Sequence, residues 1–135
     1  MGDLFYLLLA GTSFCLFMSI KTLFTQNQVR GKLVSFENFL YLGMIYLTVL
    51  IGFGMVYLLL GLFVEPVLAD PGSTQSGFLQ QAEAAVYFSA MTLFSVGHGD
   101  VIPLGPGRWI AIIEALIGYT IPAAFVAKAV MEMDS

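Results

Sequence analysis

The sequence predicts an all-α integral membrane protein that forms a single domain over residues 1–135, and three observations lead to that fold class. Of its residues, 59% are hydrophobic and 10% are charged, whereas soluble domains carry roughly 25% charged residues. Three apolar segments, 4–24, 39–64 and 109–131, can each form a helix of about 30 Å, the hydrocarbon thickness of a bilayer. A fourth, 82–96, is shorter and bracketed by glycine and proline, so we expect a re-entrant helix there.

Residues 1–38 are predicted to form an N-terminal transmembrane helix and a polar loop that precede a second module over 39–131. Lys21 is the only charged residue of segment 4–24. This favours a spanning helix over the alternative of a helix that lies along the membrane interface. No basic stretch precedes the segment, so we expect it to be retained and not cleaved as a signal peptide.

The distribution of charge predicts the orientation of the chain. Lys21, Arg30 and Lys32 are three of the five basic residues, and they lie in or beside the loop between the first two spans. Basic loops stay on the cytoplasmic side, so this loop is predicted to be cytoplasmic. The loops on the other side contain four acidic residues and one basic residue: Glu65, Asp70, Glu83, Asp100 and Arg108. We expect the C-terminus, with Lys128, to lie inside.

A glycine-rich strand follows the short apolar helix and carries the most specific signal in the sequence. Irregular backbone cannot face lipid, because unpaired amides in hydrocarbon cost several kcal/mol each. Glycine adopts positive φ readily, and Gly97 and Gly99 alternate with other residues over 95–99. Alternation of such conformations with ordinary ones can point successive carbonyls the same way. A row of aligned carbonyls is a ligand for a hard cation, and several chains would have to contribute enough oxygens to replace its water.

Residues 87–100, Tyr-Phe-Ser-Ala-Met-Thr-Leu-Phe-Ser-Val-Gly-His-Gly-Asp, resemble the pore helix and filter of tetrameric potassium channels. In that family the backbone carbonyls of four TVGYG loops replace the hydration shell of the ion. The resemblance covers 39–131 as outer helix, pore helix, filter and inner helix, and 109–118 looks like the inner helix of two-helix bacterial members. It implies a homotetrameric, potassium-selective channel in a bacterial inner membrane, with potassium ions and the lipid bilayer as its partners.

The resemblance also implies roles for individual residues. The filter is Ser95, Val96, Gly97, His98 and Gly99, with potassium held at the first four. The residues that would support the filter from behind are Asp100, Tyr87, Phe88 and Glu114. Gly118 and Pro122 would form the gating hinge, and Tyr119 and Val126 would line the cavity.

Three of these positions leave alternatives open. Asp100 is either a solvated carboxylate at the mouth or a hydrogen-bond partner behind the filter. Glu114 is an ionisable residue within a span, where we favour structural hydrogen bonding over ion attraction. Pro122 removes the backbone hydrogen bond to the carbonyl of Gly118, so a kink is predicted there, as a static bend or a moving gate.

Two departures from the family pattern matter. His98 stands where tyrosine is usual, and Ser95 stands where threonine is usual. Three roles are open for His98: packing against aromatic neighbours such as Tyr87 and Phe88, sensing protons, or binding a metal. A weakly selective cation channel is therefore the near alternative, and a non-conducting membrane assembly or sensor is a more distant one.

Other function classes find no support in the sequence. It contains no nucleophile–base pair and no metal-ligand cluster, so we expect no enzymatic activity. Neither a nucleic acid nor a small-molecule substrate is expected as a partner. The aromatic residues, Trp109 and Tyr57 among them, are expected to pack mostly against lipid or at the membrane interface.

Cysteine labelling tests the predicted orientation. In a Cys15→Ala background, Arg30→Cys should react with a membrane-impermeant thiol reagent only from the cytoplasmic side. Asp70→Cys should react only from the outside, because the basic loop is retained within. Labelling of position 30 from the outside would contradict the orientation.

Overall fold

The computed structural model describes residues 2–25, 36–71 and 77–133, and nearly all of its regular structure is helical. The elements, in chain order, are α1 (Gly2–Thr25), α2 (Phe36–Phe63), β1 (Leu68–Ala69), α3 (Phe78–Leu93), β2 (Ile102–Pro103) and α4 (Gly107–Met133). The helical fold class predicted from the sequence is therefore confirmed for the described residues.

Two helices are long and apolar enough to cross a membrane, namely Phe39–Phe63 within α2 and Gly107–Met131 within α4. They correspond to the second and third predicted spans. The described apolar part of α1 is Gly2–Met18, which is shorter than a spanning segment, so the first predicted span stays a prediction. Arg30 and Lys32, on which the predicted orientation depends, lie outside the described residues.

Helix α2 packs against α1 on one side and α3 on the other, and glycines make both contacts close. A Cβ at Gly52 would overlap the side chain of Leu16 in α1. A Cβ at Gly54 would lie 3.2 Å from Cγ2 of Val86 in α3. Small residues let helices approach closely within a membrane, where packing is the main attraction between them.

The buried core lies between α2, α3 and α4. Val49, Phe53 and Tyr57 are spaced four residues apart, so they form one stripe along α2. Leu93 of α3 and Ile121 of α4 belong to the same cluster. The packing therefore fixes α3 between α2 and α4.

Helix α3 is 16 residues long, which corresponds to about 24 Å, less than the thickness of a bilayer. Apolar residues indicated 82–96 for this helix, but it begins four residues earlier and ends at Leu93. The first turn of α3 is exposed, so the start of the apolar segment does not mark the start of the helix. Its end is set by the backbone of the residues that follow.

Two short strands, β1 and β2, pair antiparallel although helix α3 lies between them in the chain, and the sequence did not predict this pairing. Leu68 pairs with Pro103, and Ala69 pairs with Ile102. The amide of Leu104 extends the contact by donating to the carbonyl of Val67 at 2.7 Å. This strand pair therefore ties the segment after α2 to the segment that follows the glycine strand.

Candidate functional site

The glycine strand begins where the backbone turns sharply at the end of α3. The amide of Phe94 completes the last helical bond, to Ala90. The carbonyl of Met91 then accepts two bonds, from Val96 at 2.9 Å and from Gly97 at 3.2 Å. The last turn of α3 thus holds the first residues of the strand by their own amides.

The strand alternates between two backbone conformations. Ser95, Gly97 and Gly99 have φ of 57°, 58° and 82°, whereas φ is not positive at Val96 or His98. This is the alternation that the two glycines predicted, with Ser95 added to it. A left-handed conformation costs a residue with a Cβ about 1–2 kcal/mol, so Ser95 adopts it against its preference. No atom lies within 4 Å of a Cβ at Gly97 or Gly99, so both positions require glycine for φ and not for space.

Residues 95–100 are exposed in the single chain. Val96, an apolar residue, has 57% of its surface accessible. In the described part of the chain, no three His, Cys, Asp or Glu side chains come together as a metal site. The oxygen atoms that this strand offers to a cation are those of its backbone and the Ser95 hydroxyl.

Asp100, which follows the strand directly, is tied back to α3. The hydroxyl of Tyr87 donates to its carboxylate, and the amide of Val101 donates to Oδ1 at 3.1 Å. The Tyr87 hydrogen bond is the main cause that lowers the pKa of Asp100 below its ordinary value, with the backbone amides and His98 contributing in the same direction. Partial desolvation opposes them. The carboxylate therefore stays ionised and bonded.

Glu114 is fully buried and joins three helices. Its Oε2 accepts a hydrogen bond from the Tyr57 hydroxyl of α2 at 2.8 Å, and its Oε1 is bonded to the Ser89 hydroxyl of α3. The side chain thus turns towards the short helix α3. Tyr57 is 1% exposed, so the expectation that it packs against lipid was wrong.

The Ser89 hydroxyl makes a second contact, to the carbonyl of Leu50 at 2.9 Å. Each of its two oxygen contacts requires a proton, and a serine hydroxyl has one. A protonated Glu114 would supply the other by donating to Ser89 while it accepts from Tyr57. Each oxygen of this cluster would then have a partner, which is what burial of polar groups demands.

The remaining predicted residues lie on α3 and α4. Phe88 packs edge-to-face on Tyr57, with ring centroids 5.1 Å apart. Gly118 lies against the end of α3, where any Cβ would overlap the carbonyl oxygen of Leu93. Pro122 lies inside α4, and Tyr119 and Val126 are exposed on that helix.

Three residues of this region were missed by sequence reasoning. Ser89 and Tyr57 hold Glu114, and Tyr46 of α2 donates from its hydroxyl to the carbonyl of Gly118 at 2.9 Å. The only signal in the sequence was that each residue carries a hydroxyl within a helix that is largely apolar around it.

Comparison with known proteins indicates what the chain is similar to. The family described as Ion channel matches residues 45–134. Protein LctB of Bacillus caldotenax is 42% identical over 117 residues, which cover 86% of this chain and 87% of the relative. Protein LctB of Geobacillus stearothermophilus is 41% identical over the same shares of the two chains. No solved structure matches the chain.

The Glu114 cluster predicts a contrast between two substitutions. Glu114→Gln should change the free energy of unfolding by less than about 1 kcal/mol, because an amide can donate to Ser89 and accept from Tyr57. Glu114→Met should lower it by about 2–4 kcal/mol, because two buried hydroxyls lose a partner. Unfolding in detergent measures both, and Glu83→Met at an exposed position of α3 is the control. Equal losses for Gln and Met would refute the hydrogen-bonding account.

The Asp100 contact predicts a shift in titration. Tyr87→Phe removes the hydroxyl that favours the ionised carboxylate, so the pKa of Asp100 should rise towards its ordinary value. Carbon-13 NMR of the carboxyl group over an acid pH series measures this shift. Tyr6→Phe, on α1, should leave it unchanged. An Asp100 titration unaffected by Tyr87→Phe would show that the bond does not form.

Proposed function

This chain belongs to the ion channel family, and we propose that it conducts potassium ions through a filter to which each chain contributes residues 95–99. The observation that carries the proposal is the alternation of φ along Ser95, Gly97 and Gly99. An extended strand points its carbonyls to opposite sides in turn, whereas left-handed residues at every second position can bring them to one side. Such a row suits an ion that sheds its water.

In the proposed filter, potassium ions move passively in single file between rings of backbone carbonyls. The rings are formed by Ser95, Val96, Gly97 and His98, and the Ser95 hydroxyl adds oxygens at the inner end. A carbonyl ring replaces the hydration shell of the ion, so entry has little desolvation cost. The C-terminal end of α3 lies beside the start of the strand, and its partial negative charge favours a cation in the cavity below.

Four copies of the chain around one axis are the proposed assembly. One strand supplies carbonyls on one side of an ion only, and the family's filters are built from four loops. Val96 and Tyr119, 57% and 75% exposed in the single chain, are available to face neighbouring copies or the cavity. The assembly would lie in a bacterial plasma membrane, with Gly118 and Pro122 as its gating hinge.

The residues around the strand support this proposal from behind. Tyr87 and Asp100 tie its outer end to α3, while Met91 holds its inner end. Glu114 joins α3 to both spanning helices. The strand is therefore anchored at both ends to a helix that is itself fixed, as a filter must be to discriminate between ions of different size.

A weakly selective cation channel is the second candidate, and His98 is the observation that favours it. An imidazole stands where the family has a phenol, so the packing behind the outer sites differs.

Reversal potentials of the reconstituted protein in mixed potassium and sodium test the proposal. Potassium selectivity is expected from particles whose mass corresponds to four chains. Gly97→Ala should abolish the flux, because its φ of 58° strains a residue with a Cβ in every subunit. Gly43→Ala, where a Cβ meets no atom, should conduct as the wild type does.

The same measurement separates the two candidates. Under the potassium-selective proposal, His98→Tyr preserves or sharpens selectivity, and a weakly selective wild type that gains selectivity in this variant would favour the second candidate. Selective conduction by an assembled Gly97→Ala protein would refute the filter assignment.

A further inference from the structure

The proline inside α4 leaves one backbone carbonyl without its helical partner. Residue 122 would normally donate its amide to the carbonyl of Gly118, but proline has no amide hydrogen. Gly118 lies within a helix apolar enough to cross a membrane, where water cannot supply the missing donor. A carbonyl in this position needs a donor from elsewhere in the protein.

Tyr46 of α2 supplies that donor. Its hydroxyl lies 2.9 Å from the carbonyl oxygen of Gly118, although 72 residues separate the two in sequence. The bond crosses from the outer to the inner helix at the turn that Pro122 weakens. Tyr46 is partly buried, and its hydroxyl is the polar group of an otherwise apolar stretch of α2.

The ring of Tyr46 makes a second contact, to the base of the glycine strand. It stacks on Phe94 with centroids 5.3 Å apart and an interplanar angle of 13°. Phe94 ends α3 and immediately precedes Ser95. Gly118 approaches the same place from α4, because its Cα lies against the carbonyl of Leu93. One side chain thus contacts the weak turn of α4 and the start of the strand.

We propose that Tyr46 is a latch that couples bending of α4 at Gly118 to the base of the filter. The inference rests on the proposed function, since it assigns a positioning role within that pore. When α4 bends at Gly118, the carbonyl moves relative to α2, so the hydroxyl must release it or the ring must move with it. Release leaves a carbonyl unpaired, and movement of the ring disturbs its stack with Phe94. The bond therefore favours the conformation in which Tyr46, Gly118 and Phe94 are joined.

A double-mutant cycle tests the latch. Tyr46→Phe removes the hydroxyl but keeps the ring that stacks on Phe94. Pro122→Ala restores an amide that can donate to Gly118 within α4 and so makes the hydroxyl redundant. Tyr46→Phe should therefore raise amide hydrogen exchange in residues 118–126 about tenfold in the wild type and less than twofold in the Pro122→Ala background. Tyr6→Phe, an exposed tyrosine of α1, is the matched control and should have no effect in either background.

Single-channel recording gives the second arm of the test. The ratio of open to closed times should shift about tenfold in Tyr46→Phe and return towards that of Pro122→Ala in the double variant. Additive effects of the two substitutions on exchange would overturn the latch. If the effects on exchange are non-additive but the open and closed times are unchanged, the coupling to gating would be overturned. The hydrogen bond would then be a structural contact that is present in both the open and the closed state.

The two arms also separate the latch from the proposed function. Hydrogen exchange does not require conduction, so a non-conducting protein with a non-additive cycle would overturn the potassium channel and retain the bond between Tyr46 and Gly118. A selective channel with an additive cycle would do the reverse.

Discussion

Backbone groups that leave a helix within an apolar environment need partners from the protein itself, and much of this structure follows from that requirement. At the end of α3, Met91 accepts the amides of both Val96 and Gly97. At the proline of α4, Tyr46 donates to Gly118. Beyond α2, the short strands β1 and β2 pair across α3 and the glycine strand, which lie between them in the chain. At each of these three places the backbone groups find a different kind of hydrogen-bond partner, and the three places lie around the glycine strand.

The buried Glu114 cluster is the second fixed point, because it connects α4 to both α2 and α3 with polar contacts. Packing between apolar helices in lipid gains little from the hydrophobic effect, so hydrogen bonds and close contacts decide the arrangement. The hydrogen bonds among Glu114, Tyr57 and Ser89 are directional, so they fix the relative orientation of the helices in a way that contacts between Leu and Ile side chains do not. The close approaches at Gly54 and Gly118 then bring α3 against both neighbours. The strand inherits its position from α3.

Composition and spacing predicted the coarse architecture because they report directly on burial and length. Segments 39–64 and 109–131 are predominantly apolar, and α2 and α4 match them within three residues at each end. Gly97 and Gly99 likewise predicted positive φ, since glycine is the residue that adopts it freely. The orientation still rests on Arg30 and Lys32, which lie outside the described residues.

What the sequence did not predict depends on partners far apart in the chain. In the sequence, Tyr46 and Tyr57 look like aromatic residues at a membrane interface. Their neighbours in sequence do not indicate that the Tyr46 hydroxyl donates to the Gly118 carbonyl or that the Tyr57 hydroxyl donates to Glu114. Ser95 gives no sign of its positive φ, because the turn at the end of α3 imposes it. The pairing of β1 with β2 was missed because two residues per strand are too few to show a period.

The arrangement of the strand also bears on the histidine that departs from the family pattern. The residues with positive φ, at 95, 97 and 99, lie on either side of Val96 and His98. Met91 holds the inner end through backbone amides, and Tyr87 holds the outer end through Asp100. None of these contacts involves the side chain of residue 98. The alternation therefore does not depend on a phenol at that position. In the proposed pore, histidine would then alter the packing around the outer sites while the carbonyls keep their order along the path of the ion.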